Sequence, residues 1–170
     1  FAVGTVQDIS ERHEAEEQLR KLSLAIEQSP HSIVIANTQA EIEYVNEAFI
    51  RNTGYSREEV IGQNPRILHS GDTPQAAYDA MWEALSHGLS WRGEFFNRRK
   101  DGSEYVEFAV VTTIRQADGH ISHYLAIKED ITEKKRLGEE LDRYRHHLEE
   151  LVAERTRELE LAKQTAETAT

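Results

Sequence analysis

The chain has 170 residues, 38% hydrophobic and 30% charged, with a formal net charge of −11 and no cysteine. The missing cysteine excludes disulfides, thiolate nucleophiles, thiolate metal ligands and cysteine–ligand adducts. The acidic balance without a basic patch argues against nucleic acid as a direct partner. There is no run of about 18 apolar residues and no visible signal peptide, so the expectation is a cytoplasmic chain without direct membrane contact.

The first segment opens on Phe1 rather than methionine, and the chain is read as a piece of a longer protein. "FAVGTVQDI", rich in small and β-branched residues, predicts a strand over residues 1–9. Ser10 then caps a linker helix over 10–29, with Glu11 and Glu14 in its first turn. Ala15, Leu19, Leu22 and Ile26 form a narrow apolar seam, and Ser29-Pro30 ends the helix.

The middle segment, 30–131, predicts a domain of its own. "SIVIA" from Ser32 and "IEYVN" from Ile42 read as two strands. Short helices follow in "EAFIRNTG" and "SREEVIG", the second opened by a Ser56/Glu59 capping box. Thr73 caps and Pro74 starts a longer helix, closed by Gly88. "WRGEFFNRR", "SEYVEFAVVTTIRQ" and "HISHYLAIKEDI" are three strands joined through Asp101-Gly102 and Asp118-Gly119, both strong hairpin signals. The order predicts an α+β domain: a five-stranded antiparallel sheet with its helices gathered on one side.

The last segment, 132–170, reads as one long helix. Leu137, Leu141, Tyr144, Leu148 and Leu151 alternate spacings of four and three, as a coiled-coil seam does. Arg155 takes the next seam position, and Leu159, Ala162 and Ala166 continue after a stutter. So polar a helix needs a partner helix to hold it in water. "VQDISERHEAEEQL" near the start aligns with "KEDITEKKRLGEEL" before this helix. Residues 1–9 are therefore expected to be the last strand of a preceding copy of the domain.

The middle segment resembles a PAS sensory domain. The resemblance rests on "GYSREEVIGQNPRIL", "WRGEFFNRRKDGSEY" and the closing "DIT", Asp130-Ile131-Thr132. The tail from Leu148 resembles the linkers leading into the phosphoacceptor helices of bacterial sensor histidine kinases. The family implies a ligand pocket on the helical side, homodimers through the coiled coil and an output domain further along the same chain. In its light-sensing branch, flavin photochemistry uses an "NCRFLQ" motif; the aligned residues here are Asn64, Pro65, Arg66, Ile67, Leu68 and His69. Pro65 stands at the reactive cysteine, so no cysteinyl–flavin adduct forms. Lys128 stands where the light sensors carry a glutamine facing the ring. The redox-sensing flavin PAS domains of nitrogen-fixation and methane-oxidation regulators are a closer match, and their ring-contacting tryptophan and asparagine correspond to Trp82 and Asn97. An electron-poor ring needs an aromatic face and a two-sided amide.

The expected flavin site is therefore Asn64, Arg66, Leu68, Trp82 and Asn97, with FAD preferred over FMN. Plainer roles compete at four of them: core packing for Trp82, a local bond for Asn97, solvent or an acid for Arg66, a turn cap for Asn64. His31, His69 and His87 read as surface residues, so haem is disfavoured, and no catalytic triad, nucleotide loop or metal-spaced histidine set is present. Asp130, Ile131 and Thr132 are the expected signal exit. The reading is a non-enzymatic sensor module of a histidine kinase, sensing redox state or oxygen through a flavin. The rival is a cofactor-free or metabolite-binding PAS dimerisation module of a kinase or cyclic-dinucleotide enzyme.

Overall fold

The computed structural model describes residues 3–169. It contains α1 (Val3–Glu27), β1 (Ser32–Asn37), β2 (Ile42–Val45), α2 (Glu47–Thr53), α3 (Arg57–Val60), a 3₁₀ turn (Pro65–Leu68), α4 (Gln75–Ser86), β3 (Trp91–Arg98), β4 (Glu104–Arg115), β5 (Ile121–Asp130) and α5 (Thr132–Thr168). The strands form one antiparallel sheet in the order β2-β1-β5-β4-β3. The chain divides into one compact unit ending at Ile131 and a second beginning at Thr132.

The beginning of the chain departs from expectation. Phe1 and Ala2 lie outside the described residues, but Val3 to Ile9 are helical, and Ser10 sits inside α1 rather than capping it. A strand needs a neighbour for its backbone groups, and residues 3–9 pair with none of the five described strands. A helix satisfies its own ladder.

The β3–β4 turn closes with Gly102 N–H donating to Arg99 O at 3.0 Å and Arg99 N–H to Ser103 O at 2.8 Å. Gly102 (φ 89°) and Gly119 (φ 87°) adopt left-handed backbone, which is why each hairpin carries a glycine there. Thr73 does not cap α4. The N-cap is Pro74, and the Thr73 hydroxyl instead joins the chain before α4 to β3, accepting from Phe96 N–H at 2.8 Å and lying 3.2 Å from Phe96 O.

One face of the sheet carries two apolar clusters. Val34, Ile42, Val45, Phe49, Val60 and Leu68 form the first, under α2 and α3; Leu85, Phe95, Ala109 and Val111 form the second, under α4. Burying a side chain such as Phe49 contributes roughly 1.5–3 kcal/mol. Asn46, fully buried, ties the first cluster to the end of α1. Its Oδ1 accepts from Ile33 N–H (2.9 Å) and Phe49 N–H (3.2 Å), and its Nδ2 donates to Ile26 O and His31 O, both at 2.9 Å. Glu27, at the last turn of α1, accepts from the Tyr44 hydroxyl at 2.6 Å and from Glu47 N–H at 3.1 Å.

In α5 the seam residues Leu137, Leu141, Tyr144, Leu148 and Leu151 are all exposed. Arg155, at the polar seam position, pairs with Glu158 of the same helix at 2.7 Å. Among the described residues no helix is long and apolar enough to cross a membrane.

Candidate functional site

Between α4, the 3₁₀ turn and the inner face of the sheet lies a cavity of about 480 Å³, within the range of small-molecule sites. Strand alternation supplies its sheet wall: Phe95 and Asn97 from β3, Val111 from β4, Tyr124, Ala126 and Lys128 from β5, all on the helix side. Tyr78, Met81 and Trp82 come from α4, and Asn64, Pro65, Arg66 and His69 from the turn and its flanks.

Four of the five expected contact residues line this cavity: Asn64, Arg66, Trp82 and Asn97. Leu68 does not. It is 1% exposed and packs in the first cluster with Phe49 and Val60. A 3₁₀ turn rotates about 120° per residue, so Arg66 and Leu68 must point to different sides. Asn64 also caps the turn, its Oδ1 accepting from Arg66 N–H at 3.0 Å. Trp82 leaves 42% of its surface exposed and meets Tyr124 edge-on at a centroid distance of 5.4 Å. It is not packed as a core residue would be. Trp91 stays outside the lining and stacks on Phe95 at 4.9 Å.

The floor holds a charged cluster that sequence reasoning missed. Glu107 and Lys128 are buried, with Lys128 Nζ 2.6 Å from Glu107 Oε1. Asn97 Nδ2 donates to the same oxygen at 2.7 Å. Asn97 Oδ1 is buried and has no hydrogen-bond partner, a state that is costly unless something else supplies a donor. Breaking a buried ion pair from one side costs about 3–5 kcal/mol, so Glu107 and Lys128 fix each other. Lys128 lines the cavity and Glu107 does not. The cation is thus the member of the pair that borders the space.

Aromatic stacking extends along the same wall, from His69 to Tyr78 at 4.5 Å and from Tyr78 to Phe95 at 5.4 Å. His69, read from sequence as a plain surface residue, thus belongs to the rim of the cavity. Desolvation, then the Arg66 and Lys128 cations, hold its imidazole below the usual histidine range. Desolvation and the Glu107 charge push the Tyr78 phenol up, and they push Tyr105, opposite Asn97 on β4, up much further.

From Tyr105 a chain of contacts leads to the end of the sheet. The Arg99 guanidinium lies 4.2 Å from the centroid of the Tyr105 ring, and its Nη2 donates to Asp130 Oδ2 at 2.7 Å. Its Nη1 donates to Asn52 O at the end of α2. Ile131, buried, donates its N–H to Val106 O at 2.9 Å. Of the expected exit residues, Asp130 and Ile131 are thus held by β3 and β4, and Thr132 opens α5.

A sheet roofed by helices around a ligand-sized cavity, with a helix at each end, is the build of a sensory module. The PAS domain model matches residues 30–133, and the chain belongs to that family. It is 39% identical over 107 residues to a nitrogen fixation regulatory protein of Klebsiella oxytoca, a match covering 63% of this chain and 22% of the relative, so the chain spans about a fifth of that regulator's length. A light-oxygen-voltage domain whose mechanism was probed with a flavin analogue superposes with a TM-score of 0.61 at 26% identity, covering 72% of this chain and 96% of that one. The light-oxygen-voltage domain of a blue-light activated histidine kinase from Erythrobacter litoralis gives 0.57 at 27% identity, covering 62% and 99%.

Proposed function

We propose that this chain is the flavin-binding redox sensor of a larger bacterial signalling protein, passing the state of the flavin to a histidine kinase output through a dimeric coiled coil. The observation that carries the reading is Asn97: a buried amide oxygen without a hydrogen-bond partner, on a residue that lines a cavity walled by aromatic rings. A flavin's pyrimidine edge offers the donor that Asn97 Oδ1 lacks, and Trp82 offers a face for the ring. Arg66 offers a fixed cation for a phosphate. The flavin analogue used to probe one structural neighbour supports the class of cofactor. The expectation of FAD over FMN does not carry over, since both present the same ring to these residues. When bound, a flavin supplies reversible electron uptake; with no cysteine in the chain, no adduct competes with it.

The chain's own part is to answer that change. Asn97 reorients or holds, Glu107 and Tyr105 feel the difference, and Arg99 carries it to Asp130 and so into α5. The exposed seam from Leu137 to Leu151 is read as meeting the same seam of a second copy. An absorption spectrum of protein made in flavin-replete cells tests the reading. Flavin bands are expected, with mass analysis of the released cofactor deciding between FMN and FAD. Colourless protein that added FMN and FAD neither bind nor stabilise would leave a cofactor-free relay.

A further inference from the structure

The cavity's charge is opposite to that of the chain. The protein carries a net −11, yet the cavity is lined by two cationic side chains, Lys128 and Arg66, and by no aspartate or glutamate. The nearest carboxylate, Glu107, stands behind Lys128 and orients it. Nζ is held 2.6 Å from Oε1, which uses one of the ammonium's three donors, on a residue that lines the cavity. A pair so arranged is a dipole with its positive end toward the occupant, in surroundings where water screens little. It is also the one ion pair among those described in which both side chains expose under a tenth of their surface, at 9% and 4%. Binding a neutral ring does not require a buried ammonium, whereas a ring that gains negative charge is stabilised by one.

Resting on the flavin reading above, we propose that the Lys128–Glu107 pair sets the reduction potential of the bound flavin by holding its reduced form as an anion. Reduction by a hydride donor of the nicotinamide class brings two electrons and one proton to the ring, the proton at N5, and leaves one negative charge. In a neutral site solvent would supply a second proton, at N1. Lys128 compensates the charge instead, so the second proton is not taken up. Glu107 limits this effect: by sharing the ammonium's charge it keeps the potential from rising further. The other ionisable or charged groups around the pair are Tyr105 on β4, Tyr124 and Asp130 on β5, the latter opposite Glu107 and paired with Arg99, Tyr78 on α4, Arg66 in the 3₁₀ turn and His69 after it. Burial pushes Tyr78 and Tyr105 up, away from the neutral range, and pushes His69 down.

Spectroelectrochemical titration of the flavin-loaded protein across the neutral range tests this, with Lys128→Gln, Lys128→Arg and Glu107→Gln alongside. For a two-electron couple, a tenfold change in the ratio of reduced to oxidised affinity is about 30 mV. One proton per two electrons therefore gives about 30 mV per pH unit, and two protons about twice that. The expected result is the shallower slope in the native protein. Lys128→Gln should lower the midpoint by at least about 30 mV, a tenfold loss of preference for the reduced form, and steepen the slope. Lys128→Arg should keep both, and Glu107→Gln should raise the midpoint. Equal midpoints and slopes in native and Lys128→Gln protein, with flavin bound in both, would overturn the inference and leave the flavin reading standing. If Lys128→Gln loses its fold or its flavin, Glu107→Gln decides, and an unraised midpoint there overturns it. Native protein that binds no flavin sinks both.

Discussion

At one end of the sheet, Val34, Ile42, Val45, Phe49, Val60 and Leu68 close against one another, none exposing more than 3% of its surface. At the other, Leu85, Phe95 and Val111 are nearly as buried, yet border a cavity of about 480 Å³. The two halves share strands β1 and β5 and the same layer of helices. They differ in what faces the inner side of the sheet. The closed half presents aliphatics and one aromatic, with a fully bonded asparagine, Asn46, at its edge. The hollow half presents rings, a carboxylate, an ammonium and an asparagine with one oxygen unpaired. Close packing gives stability, and the second half gives some of it up for a space with directed polar groups.

The sharpest way to break this comparison is to truncate each half in turn. Phe49→Ala opens a void in the closed cluster and should cost about 3–5 kcal/mol, read from chemical denaturation. Met81→Ala, on the cavity wall, adds to space that already exists and should cost about 1 kcal/mol or less. Equal losses would mean that the cavity collapses around its lining and that the halves do not differ in kind.

The closed half was also the more legible. Its strands, its short helices and the Ser56/Glu59 capping box all follow local patterns, and Ser56 N–H does reach Glu59 Oε2 at 2.8 Å. The hairpins of the other half were equally plain, because their turn glycines are local signals. What stayed hidden was non-local. Glu107 lies on the inward side of β4 with Tyr105, Ala109 and Val111, where alternation alone calls for an apolar residue. Its partner Lys128 is 21 residues away on the next strand, and no window of sequence joins the two. Leu68 was misplaced for the opposite reason: it was grouped with the residues beside it, although the tight turn sends it to the other cluster. The strand expected at 1–9 rested on composition and on the repeat shared with the residues leading into α5, and neither local signal supplies the neighbouring strand that such a segment needs.

A smaller effect is expected at the end of β5, where the first unit of the chain stops. Asp130→Ala removes the carboxylate that Arg99 reaches at 2.7 Å, where both side chains are about three-quarters buried, at 23% and 26% exposure. The expected loss is about 1–2 kcal/mol. On the proposed flavin reading, flavin affinity should stay unchanged while redox control of the intact protein's output weakens. A loss as large as that for Phe49→Ala would make Asp130 a structural support for the sheet. Unaltered control with the smaller loss would remove it from the relay.

The smallest effect concerns the polar edge of the closed half, where Tyr44 holds the end of α1 by donating to Glu27 at 2.6 Å. Burial, the hydrogen bond to Glu27 and that carboxylate's charge together push the Tyr44 phenol up to about 12, with Arg57 opposing them. The unfolded chain releases this proton near pH 10. The folded state therefore holds the proton more tightly, and the contribution is complete below about pH 10 and lost as pH rises through about 12. Tyr44→Phe removes the group that titrates. The stability difference between native protein and variant should be small at neutral pH, because the contact is partly open to solvent, and should vanish as pH climbs through that window. Measuring the difference, rather than either stability alone, cancels the lysines that titrate in both. A difference that holds steady to about pH 12 would mean that the ring's packing, and not its hydroxyl, fastens α1. The closed half would then grip that helix as it grips its own core.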